Sequence, residues 1–315
     1  MKKIVTIGGG TGQFTLLSAL KNLDIDLTAI VSMADNGGST GQLRDEYGVL
    51  PPGDILKCLI ALSPYKEARE ILQTRFEDNA KLSKHNAGNL LLTFMSQYLS
   101  GDFPEAVKAF SKILKVKGSV LPVTTDKATL GAELEDGQFI FGETVIDIVK
   151  QDSRARIKRT FLVPHSVALS VYPPVVTVLE SADFIIIGPG DIYTSITPNF
   201  LVPGVKEAIQ STKAKLIYIS NIMTKHGETS GLSGAEIVDV VEKYLGRKFD
   251  LILANNEFVS VELKQKYKSE KAEVVSFDPN QKDERIISAE LLSEGPLARH
   301  DMKKLENVFK TLILE

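Results

Sequence analysis

Apolar and polar positions along this chain follow two rhythms. Residues 3–7 form a mostly apolar run that enters Gly8-Gly9-Gly10-Thr11-Gly12, after which apolar positions recur at helical spacing over 14–23 and a second apolar run occupies 27–32. That order predicts a buried strand, a glycine turn, an amphipathic helix and a second buried strand, the opening of a βαβ unit. Asn36-Gly37-Gly38-Ser39-Thr40-Gly41 follows the second strand and reads as a loop at the same sheet edge. Pro51-Pro52-Gly53-Asp54 then punctuates the chain before a helix over 55–62, with Asp54 as its expected N-cap. Helical periodicity extends over 68–115, including 89–99 and 104–114.

The rhythm changes after Gly118. Residues 119–123 predict a strand, and the runs 129–134 and 138–141, on either side of Glu135-Asp136-Gly137, predict a β-hairpin followed by a strand near 157–163. Residues 124–165 are therefore expected to form a small antiparallel β insertion within a single α/β domain spanning 1–315. Beyond it the alternation resumes: helix 175–181, strand Phe184–Ile187, loop 188–196, helix 201–210, strand 215–220, helix Gly234–Leu245 and strand 251–254. A β segment near 273–277 and a terminal helix over 302–312 complete the chain. Such alternation predicts a mainly parallel, doubly wound sheet covered on both faces.

Composition narrows the function classes. A chain of 315 residues buries a substantial core, and its single cysteine, Cys58, excludes an intrachain disulfide framework and points to a reducing compartment, read here as the cytoplasm. Cys58 itself reads as a helix residue. The apolar stretch before Gly8 is too short for a signal peptide, and no apolar run reaches the length of a membrane span. A net charge of −3 lacks the basic character of a nucleic-acid binder, which leaves a discrete small anion as the ligand to consider. A homo-oligomer stays open, and no surface patch names a protein partner.

Five segments carry candidate chemistry. Gly9, Gly10, Thr11 and Gly12 lie between a strand and a helix, where a phosphate can approach bare backbone and the helix N-terminus favours negative charge; a tight packing turn is the alternative. Gln13 stands where a dinucleotide fingerprint needs its third glycine, and no Gly-Lys-Ser/Thr follows to make a P-loop. Asp35 ends the second strand and can serve ribose, magnesium, a substrate hydroxyl or an Asx-turn. Behind it, Asn36, Gly37, Gly38 and Ser39 offer flexible backbone and donors, and Arg44 either pairs with a phosphate or is solvated. His85 and Asn89 open an apolar helix as an anion contact or an N-cap cluster.

Gly188, Gly190, Asp191, Tyr193, Thr194 and Ser195 follow an apolar strand, at the edge where open α/β sheets bind ligands; they suit hydroxyls, phosphate or metal, or form a capped turn. Asn221 and Thr224 follow another strand, in a segment that recognises a base or sugar or is simply solvated. Asp35, Asp191 and His85 are the candidates for chemistry. No cysteine or histidine spacing suggests zinc; a metal acting here is expected to be magnesium, held by Asp35 or Asp191.

In order and spacing, Ile7-Gly8-Gly9-Gly10-Thr11-Gly12, Asp35-Asn36-Gly37-Gly38-Ser39-Thr40-Gly41, Pro51-Pro52-Gly53-Asp54-Ile55, His85-Asn86 with Gly88-Asn89, and Gly188-Pro189-Gly190-Asp191-Ile192-Tyr193-Thr194-Ser195 closely resemble the 2-phospho-L-lactate transferase (CofD)-like superfamily. Asn221-Ile222-Met223-Thr224 with Gly227-Glu228-Thr229, and Glu294-Gly295-Pro296 with Arg299-His300-Asp301, are similar to its bacterial branch, the gluconeogenesis factors. The resemblance implies a Rossmann-like sheet and two classes of function. One is a regulator of carbon flow, cell-wall synthesis and cell shape that binds uridine-diphosphate sugars such as UDP-N-acetylglucosamine or UDP-glucose, with no established reaction. The other is a magnesium-dependent transferase that moves a phospholactate- or phosphoenolpyruvate-type group from a guanosine diphosphate conjugate. An NAD(P)-binding protein is a third, weaker reading.

By the same resemblance, Gly9 to Gly12 would face a diphosphate with Asp35 to Ser39 nearby, Gly188 to Ser195 would close the opposite wall, and Asn221 and Thr224 would lie near base or sugar. The chain departs from the family pattern at Met33-Ala34, which leaves one acid before the glycine loop, and at Ser233-Gly234-Ala235-Glu236, where relatives carry an Asp-His pair.

Overall fold

The computed structural model describes residues 1–76, 82–149, 154–166, 168–278, 280 and 282–314. Ten strands are present among these residues: β1 (Lys2–Gly8), β2 (Ile25–Val31), β3 (Ser119–Pro122), β4 (Ala128–Leu134), β5 (Phe139–Phe141), β6 (Ile157–Pro164), β7 (Phe184–Ile187), β8 (Lys215–Ile219), β9 (Leu251–Asn255) and β10 (Ile286–Ala289). Seven form one sheet in the order β10-β9-β8-β7-β1-β2-β3, and every neighbouring pair in it is parallel. β7 is buried along its whole length, and β1, β2 and β8 along all but their first residues, because helices cover both faces. That is why these segments read as unbroken apolar runs.

The chain builds outward from β1 in one direction through β2 and β3, then returns to the other side of β1 with β7. The order therefore reverses between β1 and β7, and their C-terminal ends open side by side at the place where α/β sheets take ligands. The helix Gly10–Leu20 leaves β1 there and packs on Pro52–Leu62 and Met302–Leu314. Gln13, at the position of the missing fingerprint glycine, is fully buried, and its amide donates to the Ile30 carbonyl at 3.1 Å, tying the helix to β2. Ile222, Met223, Val259, Leu263 and Leu292 form a second, smaller apolar cluster beyond β8.

β5, β4 and β6 form the predicted antiparallel sheet, and the five-residue helix Glu143–Asp147 follows β5. Thr160 of β6 donates through its backbone to the Tyr244 hydroxyl at 2.7 Å, fastening the small sheet to the helix Gly234–Leu245.

Several local expectations are corrected. The segment read as a loop at 36–41 becomes the first turn of the helix Gly38–Tyr47. Asp54 is not the N-cap of its helix: Pro51 is, the helix starts at Pro52, and Asp54 lies in its first turn facing Lys57. The loop at 188–196 contains a cis Gly188-Pro189 bond and a π-helical turn, Ile192–Ile196, leading into Thr197–Phe200. Pro203 and the left-handed Gly204 delay the next helix to Val205–Ser211. At 273–277 only a single bridge, Val274 to Met223, is made, and the sheet edge is β10 instead. The helix Val261–Ser269 had no counterpart in the sequence reading. The expected helical stretch 68–115 resolves into Ala68–Gln73, Ala87–Tyr98 and Phe103–Ile113, with 77–81 outside the described residues; 150–153 of the expected insertion also lie outside them. No helix among the described residues is long and apolar enough to cross a membrane.

Candidate functional site

The C-terminal ends of β1, β7 and β8 open into a cleft of about 690 Å³. On its β1 side the helix Gly10–Leu20 begins at the N-cap Gly9 with no side-chain cap, so first-turn backbone N–H groups are free to meet an anion. Gly12 is fixed by close approach to backbone, whereas Gly10 packs against side-chain ends that can move. A Cβ on Gly10 would lie 2.1 Å from Asp54 Oδ1 and 2.6 Å from Lys57 Nζ, and one on Gly12 would lie 1.8 Å from the Pro189 carbonyl oxygen. The first and last glycine loops are thus in direct backbone contact, which makes a continuous wall.

Of the residues singled out by sequence, Gly9, Gly10, Thr11, Gly12 and Asp35 line this cleft from one side, and Gly190, Asp191, Thr194, Ser195, Asn221 and Thr224 from the other. Asn221 clamps the opposite loop, its side chain accepting from Gly190 N at 3.0 Å and donating to Gly190 O at 2.8 Å. Thr224 accepts from Glu273 N at 2.9 Å. Gly188 has positive φ, which suits glycine, and donates to Ile7 O across the switch point.

The remaining candidates lie behind the wall. Asn36 accepts from the backbone and hydroxyl of Thr144 at 2.9 and 3.0 Å, joining the second glycine segment to the small sheet. Gly37 N donates to Asp35 Oδ1 at 2.8 Å, and Gly38 has positive φ just inside its helix. His85 Nδ1 and Ser39 Oγ share a buried hydrogen bond of 2.9 Å, with the Asn89 amide 3.4 Å from the same hydroxyl. Arg44 pairs with its neighbour Asp45 at 2.8 Å. Tyr193 is buried, its ring edge-on to Tyr244 and its backbone N–H donating to Glu228 at 2.9 Å.

Charged residues that the sequence reading passed over, Lys57, Glu143, Asp147, Lys225 and Glu228, join Asp35, Asp54 and Asp191 in shaping the electrostatics. Asp35 and Asp54 converge on Lys57, and Glu143 lies close to both acids. Burial, then the Asp54 charge, raises the Asp35 carboxyl; burial, then Asp35, Asp147 and Asp54, pushes Glu143 up to about 8. Burial works against the Lys57 charge, but Asp54 at 3.0 Å and Asp35 together outweigh it.

Further along the wall, Lys225 contacts Asp147, lies 2.7 Å from Asp191 and 3.8 Å from Glu228, and is held charged by Asp191 and Glu228 against its own burial. The Glu228 side chain has no exposed surface, and burial followed by Asp191 raises its carboxyl. Oxygens of Asp147, Asp191 and Glu228 lie within 4.8 Å of one another, a spacing compatible with a metal, but the Lys225 ammonium already sits against all three. Arg154 reinforces the same junction, donating to the carbonyls of Ile146 and Gly227 at 2.7 Å each. The spacings Asp54 to Lys57 and Lys225 to Glu228, three residues apart at helix or turn starts, were the available local signals. Nothing local announces Glu143 or Asp147.

Residues 4–292 match the family described as 2-phospho-L-lactate transferase CofD. The chain is 40% identical over 319 residues to the gluconeogenesis factor of Bacillus subtilis, covering 99% of this chain and 98% of that one. It is 39% identical over 313 residues to the gluconeogenesis factor of Halalkalibacterium halodurans, covering 96% and 94%. A crystal structure of a Bacillus halodurans member of the UPF0052 family superposes with a TM-score of 0.90 at 38% identity, covering 98% of this chain and 99% of the other.

Proposed function

The chain belongs to the CofD family, and we propose that it is a cytoplasmic nucleotide-sugar-binding regulatory protein of the gluconeogenesis factor type, taking UDP-N-acetylglucosamine or UDP-glucose in the cleft and coupling it to carbon metabolism, cell-wall synthesis and cell shape. The observation that carries this reading is the uncapped helix start at Gly10 to Gly12, facing the loop Gly190 to Ser195 in one cleft at the switch point. Free amides at Gly10 to Gly12 suit the diphosphate; the hydroxyls of Thr11 and Ser195 add donors, and Asp191 accepts from sugar hydroxyls. Clamping of the 188–191 loop by Asn221 gives the ligand a preformed wall.

Calorimetry and thermal shift of the full chain with UDP-N-acetylglucosamine, UDP-glucose, GDP, NAD and NADP, each with and without magnesium, test it. Selective binding of a UDP-sugar is expected; stabilisation by none of these ligands would overturn the reading.

A second reading is favoured by the crowding of Asp35, Asp54 and Glu143 near one lysine. Carboxylate oxygens of this kind suit a hard divalent ion, and Asp35 with Asp54 would hold magnesium, which would offset the charge of a bound diphosphate. Under this reading the protein is a transferase acting on a GDP-conjugated donor, with the first-turn amides stabilising phosphate charge. GDP binding that requires magnesium would select it. The third reading, NAD(P) binding, is weakened by Gln13 filling the place of the fingerprint glycine.

A further inference from the structure

The helix Ala87–Tyr98 is folded with its amphipathic sense reversed. Its inward face carries Gly88, Asn89, Leu92, Thr93 and Ser96, all buried, and Asn89 Oδ1, Thr93 Oγ1 and Ser96 Oγ find no hydrogen-bond partner among the described residues. Its outward face carries Leu91, Phe94 and Tyr98, exposed by 38%, 63% and 79%, with the Phe94 and Tyr98 rings stacked at 6.5 Å. A surface helix ordinarily sends its apolar residues to the core and its polar ones to water. Here three large apolar side chains at helical spacing share one exposed stripe, and a contiguous apolar stripe marks a contact surface where scattered surface residues would not.

Two features of the stripe say what covers it. The helix carries no charged side chain at any position, so it offers nothing by which an acidic or basic partner would be selected, and an identical helix meets it without like-charge repulsion. The stripe is also self-complementary. Leu91 lies three residues before Phe94 and Tyr98 four after it, so an antiparallel copy related by a twofold axis through Phe94 sets Phe94 on Phe94 and the protruding Tyr98 over the more sunken Leu91.

The area agrees. Two aromatic rings of about 150–250 Å² each, exposed to these extents, offer roughly 200–350 Å² on one copy and roughly 400–700 Å² on a pair. That is the apolar centre of an interface of about 1,200 Å², the lower bound for a stable pair, with the less exposed Leu91 and the polar rim supplying the rest. We propose that this chain pairs with a second copy of itself through the outward face of the helix Ala87–Tyr98.

The test is sedimentation velocity of the full chain over about 1 to 100 µM, beside Phe94→Glu and Tyr98→Glu. Wild type is expected to move from 34.5 kDa toward twice that mass as concentration rises. Phe94→Glu sets two carboxylates against each other on the axis and should weaken pairing by at least about 30-fold, with Tyr98→Glu acting in the same direction. Both side chains are exposed, so the variants should keep the wild-type circular dichroism and urea midpoint, which separates loss of pairing from loss of fold. Phe94→Cys should cross-link to its copy under mild oxidation, whereas Phe139→Cys, also exposed but on β5, should not. A wild type that stays monomeric at about 100 µM, pairing undiminished in Phe94→Glu, or cross-linking by Phe139→Cys alone would overturn the assignment. Flotation of monomeric wild type with phosphatidylcholine–phosphatidylglycerol vesicles would likewise overturn it and give the stripe to a lipid surface.

Discussion

Replacing Glu143 with glutamine should flatten the pH dependence of stability. Glu143 begins the short helix Glu143–Asp147, accepts from the Thr144 hydroxyl at 3.3 Å, and faces Asp35 beyond β2, Asp54 on Pro52–Leu62, and Asp147 of its own helix. Its folded-state value of about 8 lies above the usual 4.5, so between those limits the native state holds a proton that the unfolded chain has released. Stability contributed by this group is therefore complete below about 4.5 and declines as pH rises toward 8. At ~1.4 kcal/mol per pH unit the gap sets a ceiling of about 5 kcal/mol, and solvent reaching the partly exposed carboxyl brings the expected effect to ~1–3 kcal/mol. Urea unfolding of wild type and Glu143→Gln in EDTA at pH 5, 6.5 and 8 measures it. Wild type should lose about 1–3 kcal/mol more than the variant between pH 5 and 8. Asp35 and Glu228 are raised in both proteins and largely cancel in the comparison. Equal slopes, or a variant less stable than wild type at pH 8, would refute the reasoning.

Gly12→Ala drives a methyl into the Pro189 carbonyl, backbone against backbone, and should cost about 1–3 kcal/mol in denaturant unfolding together with at least about 10-fold in nucleotide affinity; unchanged values for both would mean the two loops are not in contact. His85→Ala removes a buried partner of Ser39 away from the cleft lining, so stability should fall by about 1–3 kcal/mol while nucleotide affinity stays within about threefold. A large affinity loss at full stability would place His85 in the site. Cys58 is fully buried, burial pushes its thiol up, and a disulfide reagent should modify it only as the chain opens, at a rate that rises with urea; rapid reaction in native buffer would contradict the packing.

Legibility in the sequence followed burial. β1, β7 and β8 announced themselves because strands covered on both faces carry apolar residues at nearly every position, and the glycine loops because they stand directly after such strands. The helix Val261–Ser269 escaped because Leu263 is its one buried residue and, Val261 and Tyr267 apart, the rest is polar, leaving no clear periodicity. β10 is three half-buried residues and one exposed, too short and mixed to distinguish from a loop. In the site, residues adjacent to strand ends were found, whereas His85, Asn89 and Ser39 formed an equally polar cluster that the fold turns inward to join two helices. Local spacing does not encode which face of a loop meets the cleft. Glu143 with Asp147, Lys225 and His300 are brought to the cleft from three segments far apart in the chain, so their meeting exists only in the topology.

The distribution of charge constrains what this cleft accepts. Backbone amides at Gly10 to Gly12 favour an anion, yet Asp35, Asp54 and Glu143 stand beside them with Lys57, and Asp147, Asp191 and Glu228 surround Lys225. Both lysines are outnumbered by carboxylates, so a bare diphosphate meets attraction from the backbone and repulsion from side chains in one small volume. A ligand relieves that conflict in one of two ways. Sugar hydroxyls can donate to the carboxylates while the diphosphate stays on the amides, or a divalent ion can bridge acids and phosphates. The first makes binding depend on the sugar and largely indifferent to magnesium; the second makes it depend on magnesium and largely indifferent to the sugar. Comparing UDP with UDP-N-acetylglucosamine, with and without the ion, therefore asks which group answers the carboxylates, and that answer separates a sensor of nucleotide sugars from a transferase.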